Sequence, residues 1–277
     1  MRTPWAFVVV VSIASALSVT APASAGRIVI NHDEWTLSNR GFIAAGGIND
    51  PGVFIDNVMN WFTGGVPAVV HAWSTNEIMI DTRLHDALIG GGHTYTNGIT
   101  GPFNLARLEM YDAIILAGDK PPGTLGAYSQ TLIDYVEGGG NVYIAGGTGV
   151  GGAPDEAARW NAFLNHFGFG FGDAYNVIRS TQRPILSTHP IFDGVDHLYD
   201  DNGNTIFDLE PLNPDNQILV TQGAAGLYAV YDPNPDSGPG PGPGPGPGPG
   251  PIPVPGTALL VVLGFGALAL SRSRRKR

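Results

Sequence analysis

Seven consecutive Gly-Pro pairs occupy residues 238–251 and divide the chain into two unequal parts. Proline lacks a backbone N–H and clashes with the preceding turn of a helix, and a Gly-Pro repeat buries too little apolar area to form a core. The tract therefore predicts a solvated, partly polyproline-like linker over residues 237–251. Any large folded domain must lie before it, between residues 26 and 236.

A short apolar segment with a basic end follows this linker. Residues 257–270 carry no charged side chain, and extension back to Ile252 approaches the roughly 20 residues that a membrane-spanning helix needs. Five Lys and Arg residues follow, which by the positive-inside rule keeps the end of the chain in the cytoplasm. The pattern predicts a hydrophobic C-terminal helix within a sorting or transmembrane segment over residues 252–277, and a buried core helix is the alternative.

The order of these parts, Pro253-Val254-Pro255, an apolar stretch and an arginine cluster, resembles the PEP-CTERM class of bacterial sorting signals. In that class a Pro-Glu-Pro-like motif precedes a short hydrophobic helix, and a membrane protease, exosortase, is thought to process the signal. The resemblance implies two partners, the membrane and an exosortase-like sorting protease. Val254 replaces the central Glu of the motif, so the resemblance implies anchoring more directly than cleavage.

The first 25 residues are typical of a secretory signal peptide. Met1 and Arg2 precede an apolar stretch, and Ala23-Ser24-Ala25 forms a small-residue cleavage site. We expect signal peptidase to cut between Ala25 and Gly26, and a retained N-terminal membrane helix is the alternative. An exported chain without cysteine has no disulfide framework, so its stability must come from a packed core.

The charge of the chain is unevenly distributed. All 24 Asp and Glu residues lie between Asp33 and Asp236, whereas six of the 14 Lys and Arg residues lie in the two terminal segments. The domain of residues 26–236 therefore has eight basic side chains against 24 acidic ones. Such a domain repels phosphates and has no basic stripe, which excludes nucleic acid as a partner.

Apolar strands alternate with helical segments in this domain. Residues 112–117 and 141–145 are apolar on both faces, as are strands buried in a parallel sheet. Residues 27–31 predict a first strand, and Asp50-Pro51 predicts a helix start with Asp50 as its N-cap. The alternation predicts an α/β fold with a doubly wound, mostly parallel sheet, followed by edge strands and long loops over residues 168–232.

Residues 132–147 read as a helix, a glycine turn and a strand, and they resemble the class I glutamine amidotransferase-like fold, including its trehalose-utilisation-like branch. Residues 187–195 resemble the His-Pro-Ile loop of that branch. The resemblance implies a flavodoxin-like sheet with a nucleophilic cysteine on the turn after the strand. This chain has no cysteine, which implies a non-catalytic relative. Thr148 lies near the vacated position, with His166 and His189 as remote candidate bases.

The same turn is rich in glycine. Gly147, Gly149 and Gly152 fit the pattern G-x-G-x-x-G between a strand and a helix, where backbone amides can bind a nucleotide phosphate. A glycine-rich turn without a ligand is the alternative, and we expect no cofactor.

A second candidate site is the oxygen-rich loop that contains Asp200, Asn202 and Asn204. Carboxylate and amide oxygens are typical Ca²⁺ ligands, but the loop departs from the EF-hand pattern at Thr205 and Pro211. A solvated acidic loop is the alternative.

A third group, His32, Asp33 and Glu34, directly follows the first strand, which places it at the ligand-binding edge of an open α/β sheet. Clustered imidazole and carboxylate groups can bind a divalent metal or perform acid–base chemistry. A polar loop that caps the next segment is the alternative.

Together these patterns predict an exported bacterial envelope protein, either anchored in the inner membrane or released at the cell surface after C-terminal processing. Its amidotransferase-like domain has a binding or structural role. The alternative is a secreted hydrolase that acts on a carbohydrate or an amide through His32, Asp33 and Glu34. The hydrolase hypothesis requires these three side chains and His189 to converge in one pocket beside Thr148.

Overall fold

The structure is a computed structural model. It describes residues 25–44, 50–74, 81–117, 125–149, 151–178 and 181–235. The signal peptide up to residue 24, the Gly-Pro linker and the C-terminal segment with Pro253, Val254 and Pro255 lie outside the described residues. Within those ranges, no helix is both long enough and apolar enough to span a membrane.

The described residues form eleven strands, six α-helices and three short 3₁₀-helices. The strands are β1 (Ile28–Asn31), β2 (Val69–Trp73), β3 (Thr94–Asn97), β4 (Ala113–Ala117), β5 (Asn141–Ala145), β6 (Phe169–Tyr175), β7 (Thr181–Pro184), β8 (His197–Asp200), β9 (Asn204–Asp208), β10 (Asn216–Gln222) and β11 (Ala225–Tyr231). The α-helices are α1 (Asn39–Ala44), α2 (Asp50–Thr63), α3 (Thr82–Gly90), α4 (Leu105–Leu108), α5 (Leu125–Glu137) and α6 (Ala153–Leu164). The 3₁₀-helices are Glu34–Leu37, Asn165–Phe167 and Pro190–Phe192.

Nine of these strands form one sheet in the order β3-β2-β4-β5-β1-β11-β9-β6, with β10 paired to β11. The five strands from β3 to β1 run parallel, and the pairs formed by β11, β9, β6 and β10 are antiparallel. Strands β7 and β8 form a separate antiparallel pair. The central sheet is therefore mostly parallel, as the alternation of apolar strands and helices predicts.

The two strands that are apolar on both faces are adjacent, parallel and fully buried, as predicted. Every residue of β4 and β5 is buried, and the two strands pair from Ala113↔Asn141 to Ala117↔Ala145. Their side chains point alternately to opposite faces, so Ile115 joins one apolar cluster and Ile114 the other. A strand with a core on both sides has no position at which a polar residue is favoured.

Helices cover both faces of the parallel strands. Residues of α2 and α3 belong to one core cluster, whereas residues of α4, α5 and α6 belong to the other. This arrangement is that of a doubly wound fold. Because the chain leaves β1 and β5 towards opposite faces, a crevice is expected between their carboxyl ends, where open α/β sheets bind their ligands.

The region after residue 168 is more regular than the sequence predicts. It contains six strands, and β11 is not an edge strand, because it pairs with β1 and keeps residues 227–230 almost completely buried. The helix start is near the predicted position, but Asp50 is the first residue of α2 rather than its N-cap. Its carboxylate accepts hydrogen bonds from the backbone N of Asp196 at 3.0 Å and of His197 at 2.8 Å. The side chain therefore ties α2 to the segment that leads into β8.

Candidate functional site

Strands β1 and β5 end side by side, because their last residues are paired in parallel register. The backbones stay joined beyond that point: Gly146 N donates to Asn31 O at 3.0 Å, and Glu34 N donates to Gly146 O at 2.9 Å. The predicted triplet of residues 32–34 therefore lies beside the turn formed by residues 146–149. The sheet edge was correctly inferred from the sequence.

The turn after β5 donates hydrogen bonds to the carboxylate of Glu156, a residue in the first turn of α6. Glu156 Oε1 accepts from Thr148 Oγ1 at 2.6 Å and from the Tyr175 hydroxyl at 3.1 Å, and its Oε2 accepts from Gly147 N at 2.9 Å. Asn204 Oδ1 lies 2.8 Å from the same Gly147 N. Glu156 is fully buried. The amidotransferase resemblance places a nucleophile at this turn. Here the Gly147 N–H and the Thr148 hydroxyl of the turn are instead bonded to side chains of the domain.

Gly147 has a packing role in this turn. Its φ of 72° lies in the left-handed region, and a Cβ at this position would lie 2.9 Å from Gly203 Cα. The glycine therefore allows the turn after β5 to touch the loop before β9. A phosphate at Gly147 N would have to displace the Glu156 carboxylate and lie beside its negative charge, so the geometry favours the glycine-turn interpretation over nucleotide binding.

Asp33 caps the 3₁₀-helix Glu34–Leu37. Its Oδ1 accepts from Trp35 N at 3.1 Å, and its Oδ2 accepts from Asp201 N. Burial raises the pKa of Asp33 to about 7, although the neighbouring His32 lowers it. The carboxyl group is therefore a structural cap that changes protonation state near neutral pH.

His32 and Asp200 belong to a buried polar cluster behind this cap. The amide nitrogen of Asn176 lies 3.1 Å from His32 Nδ1, and because an amide nitrogen can only donate, Nδ1 is the acceptor of this hydrogen bond. Nε2 lies 3.5 Å from Asp200 Oδ1 without hydrogen-bond geometry. Asp200 also accepts from the Tyr228 hydroxyl at 3.3 Å and forms an ion pair with Arg183 Nε. Both His32 and Asp200 are fully buried, so neither is positioned to meet a substrate.

The calcium candidates do not direct their oxygens to a common point. The Asp200 carboxylate pairs with Arg183, and Asn204 Oδ1 accepts from Gly147 N. Asn202 lies between them at a bend with φ of 73°. Within the described ranges, no group of three or more His, Asp or Glu side chains has the arrangement needed to hold a metal ion.

His189 lies at the opposite edge of the sheet. Its ring packs edge-on against Trp61 with centroids 5.2 Å apart, and it lines a cavity of about 150 Å³ together with Asp215 and Asp232. Asp232 pairs with Arg27 at the amino end of β1, so the length of that strand separates His189 from the turn after β5. Burial lowers the pKa of His189 to about 4, which keeps the ring neutral above that pH.

The other remote candidate base, His166, also lies away from Thr148. It sits in the 3₁₀-helix after α6, where its Nε2 is 2.9 Å from Glu137 Oε1. Both side chains are about half exposed. The pocket that the hydrolase hypothesis requires, with residues 32–34 and His189 beside Thr148, is therefore not formed.

Comparison with known proteins gives no relative: no family model, characterised protein or solved structure matches this chain.

Several residues at the sheet edge have roles that only the geometry reveals. Sequence reasoning missed Glu156, whose place in the first turn of the helix after a glycine-rich turn was an available signal. Tyr175, Arg183 and Tyr228 gave no local signal, because each reaches the cluster from a distant part of the chain.

Proposed function

We propose that this chain is an exported bacterial envelope protein whose flavodoxin-like, amidotransferase-like domain has a binding or structural role and does not hydrolyse amides. The observation that carries the proposal is the bonding of the turn after β5. An acyl-transfer enzyme must present a nucleophile there, with free N–H groups for the developing oxyanion. Here the Gly147 N–H and the Thr148 hydroxyl both donate to Glu156.

The charges at the sheet edge support the same conclusion. Glu34, Glu156 and Asp200 are buried there, and Asp33 lies among them. An anionic tetrahedral intermediate would form close to these carboxyl groups, whereas catalytic sites place hydrogen-bond donors and positive charge at such a position. The threonine hydroxyl also ionises far less readily than the thiol that this fold uses for catalysis.

The terminal segments determine the cellular location of the domain. The signal peptide directs export, signal peptidase cuts before Gly26, and the Gly-Pro linker connects the domain to a hydrophobic helix with a basic end. Strand β1 begins at Ile28, so a cut before Gly26 leaves every strand of the sheet intact. The C-terminal segment anchors the protein in the inner membrane until an exosortase-like protease releases it.

Fractionation of a Gram-negative host that expresses the full chain tests this proposal. The protein is expected in the membrane fraction, with an N-terminus at Gly26 by mass spectrometry. Deletion of residues 252–277 is expected to move it to the periplasm or the medium without altering that N-terminus. An intact Met1, or full-length protein in the cytoplasmic fraction, would contradict export.

The second candidate function is a hydrolase, and one observation favours it. The Thr148 hydroxyl donates to the Glu156 carboxylate at 2.6 Å, which is the contact that a general base makes with its nucleophile. The same carboxylate also accepts from Gly147 and Tyr175, and it is fully buried. We therefore assign it a structural role.

Activity assays separate the two functions. We expect no turnover of glutamine or of a generic amide or ester by the mature chain, with or without added divalent metal, and no difference between wild type, Thr148→Ala and Thr148→Ser. Turnover that Thr148→Ser retains and Thr148→Ala abolishes, while circular dichroism shows both folded, would establish the hydrolase. Metal-dependent turnover lost in His32→Ala or Glu34→Ala would instead assign chemistry to the triplet.

A further inference from the structure

Gly26, two residues before β1, packs closely against the backbone that follows α5. The Gly26 N donates to Val136 O at 2.6 Å, and the residue is buried. A Cβ on Gly26 would lie 1.9 Å from Gly140 O, a distance that no side chain tolerates. The backbone nitrogen of Gly26 is thus held against the C-terminal end of α5, in a space that fits only glycine.

The C-terminal end of α5 lacks the positive charge that stabilises such an end. The last carbonyl groups of a helix carry a partial negative charge, and Lys, Arg or His⁺ side chains commonly lie beside them. The last turn of α5 has no basic residue, and the helix ends with Glu137. Arg27 pairs with Asp232 at 3.1 Å, and His166 Nε2 lies 2.9 Å from the side chain of Glu137 rather than from a backbone carbonyl of the helix.

We propose that removal of the signal peptide supplies this missing cation and so completes the fold. The inference rests on the proposed export. Hydrolysis adds water across the Ala25–Gly26 peptide bond: Ala25 departs as the carboxylate of the signal peptide, and Gly26 keeps a protonated amine. The new ammonium group takes the place of the amide N–H beside Val136 O, at the negative end of α5.

This role also explains the residue at the cleavage site. Signal peptidase requires small residues before the cut, but it does not require glycine after it. The approach to Gly140 O does require glycine, because any larger residue collides with backbone. Gly26 is therefore selected by the folded domain, and we assign it as a positioning residue for the mature N-terminus.

The sign of the pH dependence follows from the helix end. An α-amino group in an unfolded chain has a pKa of about 7.7–8.0. In the folded state the burial of Gly26 lowers that pKa and the negative end of α5 raises it, and the proposed stabilisation requires the second effect to be the larger, so that the folded pKa lies above the unfolded one. The stabilisation is therefore fully present below about pH 7.7 and is lost as the pH rises through the folded pKa. Other titratable groups lie around this end of α5 and contribute their own pH dependence: Glu137, His166, Tyr135, Asp112, Tyr231, Arg27 and Asp232.

A comparison of free and blocked N-termini isolates the charge. The mature chain, residues 26–277, is prepared with a removable tag whose cleavage leaves Gly26 first, and half of it is acetylated at the α-amine. At pH 6.5 we expect acetylation to lower the melting temperature by about 2–4 °C, and we expect the difference to vanish above about pH 10. The matched control begins at Ser24, which moves the ammonium group away from Val136; there acetylation is expected to change nothing.

The outcomes distinguish this inference from the proposal on which it depends. An equal melting temperature of the free and acetylated Gly26 chains at pH 6.5, or an equal shift in the Ser24 control, overturns the role of the ammonium group, even if the exported protein begins at Gly26. Conversely, exported protein with another N-terminus overturns the processing proposal, whatever the stability of the prepared chains.

Discussion

Replacement of Glu156 by alanine is expected to lower the free energy of unfolding by about 2–4 kcal/mol, which corresponds to a fall in melting temperature of roughly 5–10 °C. The carboxylate is fully buried and accepts hydrogen bonds from Thr148, Tyr175 and Gly147. Its removal leaves two hydroxyl groups without their acceptor and opens a cavity beneath the turn. Denaturant unfolding of the mature chain measures the change.

The neighbouring Asp155 provides the matched control. It occupies the same first turn of α6 but is exposed, so Asp155→Ala should cost less than about 1 kcal/mol through the helix dipole alone. Glu156→Gln should fall between the two, because an amide oxygen can still accept from some of the donors. Equal, small effects of Asp155→Ala and Glu156→Ala would show that the buried carboxylate does not hold the turn.

Arg183→Met is the second substitution with a large expected effect, about 3–5 kcal/mol of destabilisation. Arg183 Nε forms an ion pair with Asp200, whose side chain is fully buried. Loss of the guanidinium leaves that carboxylate without its cation in a site that water does not reach. Thermal and denaturant unfolding again provide the measurement.

Two further variants test whether the buried charge is the cause. Arg40→Met removes a cation that lies 3.5 Å from Asp201 but is about half exposed, so its cost should stay within about 1 kcal/mol. In the double variant Arg183→Met/Asp200→Asn, much of the loss should be recovered, because the unpaired charge is gone while an oxygen remains for the Tyr228 hydroxyl. A double variant as unstable as Arg183→Met would contradict this explanation.

The parallel half of the fold could be predicted because its signals are local. Residues 113–117 and 141–145 are apolar on both faces, and only a strand with a core on each side favours that pattern. The position of β11 could not be predicted in the same way. Its partner β1 lies about 200 residues earlier in the chain, and the sequence of a seven-residue strand does not reveal which distant strand it will pair with.

The candidate site was predictable as a place but not as a set of side chains. The end of the first strand had to lie at the carboxyl edge, whichever residues surrounded it. Asn204 and Glu156 meet at Gly147 only through the packing of α6 and β9 around the turn. His189 lies at the other edge because its loop is held by α2, where Asn57 Nδ2 donates to Asp193 O at 2.7 Å.

The central claim is that side chains of the domain already bind the polar groups of the turn after β5, so that no ligand can bind them. Amide hydrogen exchange at Gly147 tests this claim most directly. With Glu156 Oε2 at 2.9 Å and Asn204 Oδ1 at 2.8 Å, this N–H should exchange at least about 100-fold more slowly than that of exposed Gly149, after correction for intrinsic rates. That ratio corresponds to about 2.8 kcal/mol of opening free energy. Glu156→Ala should lower the protection, and the double variant Glu156→Ala/Asn204→Ala, which removes both acceptors, should abolish most of it. Exchange at Gly147 as fast as at Gly149 in the wild-type chain would show that the turn is open to a ligand and would contradict the account.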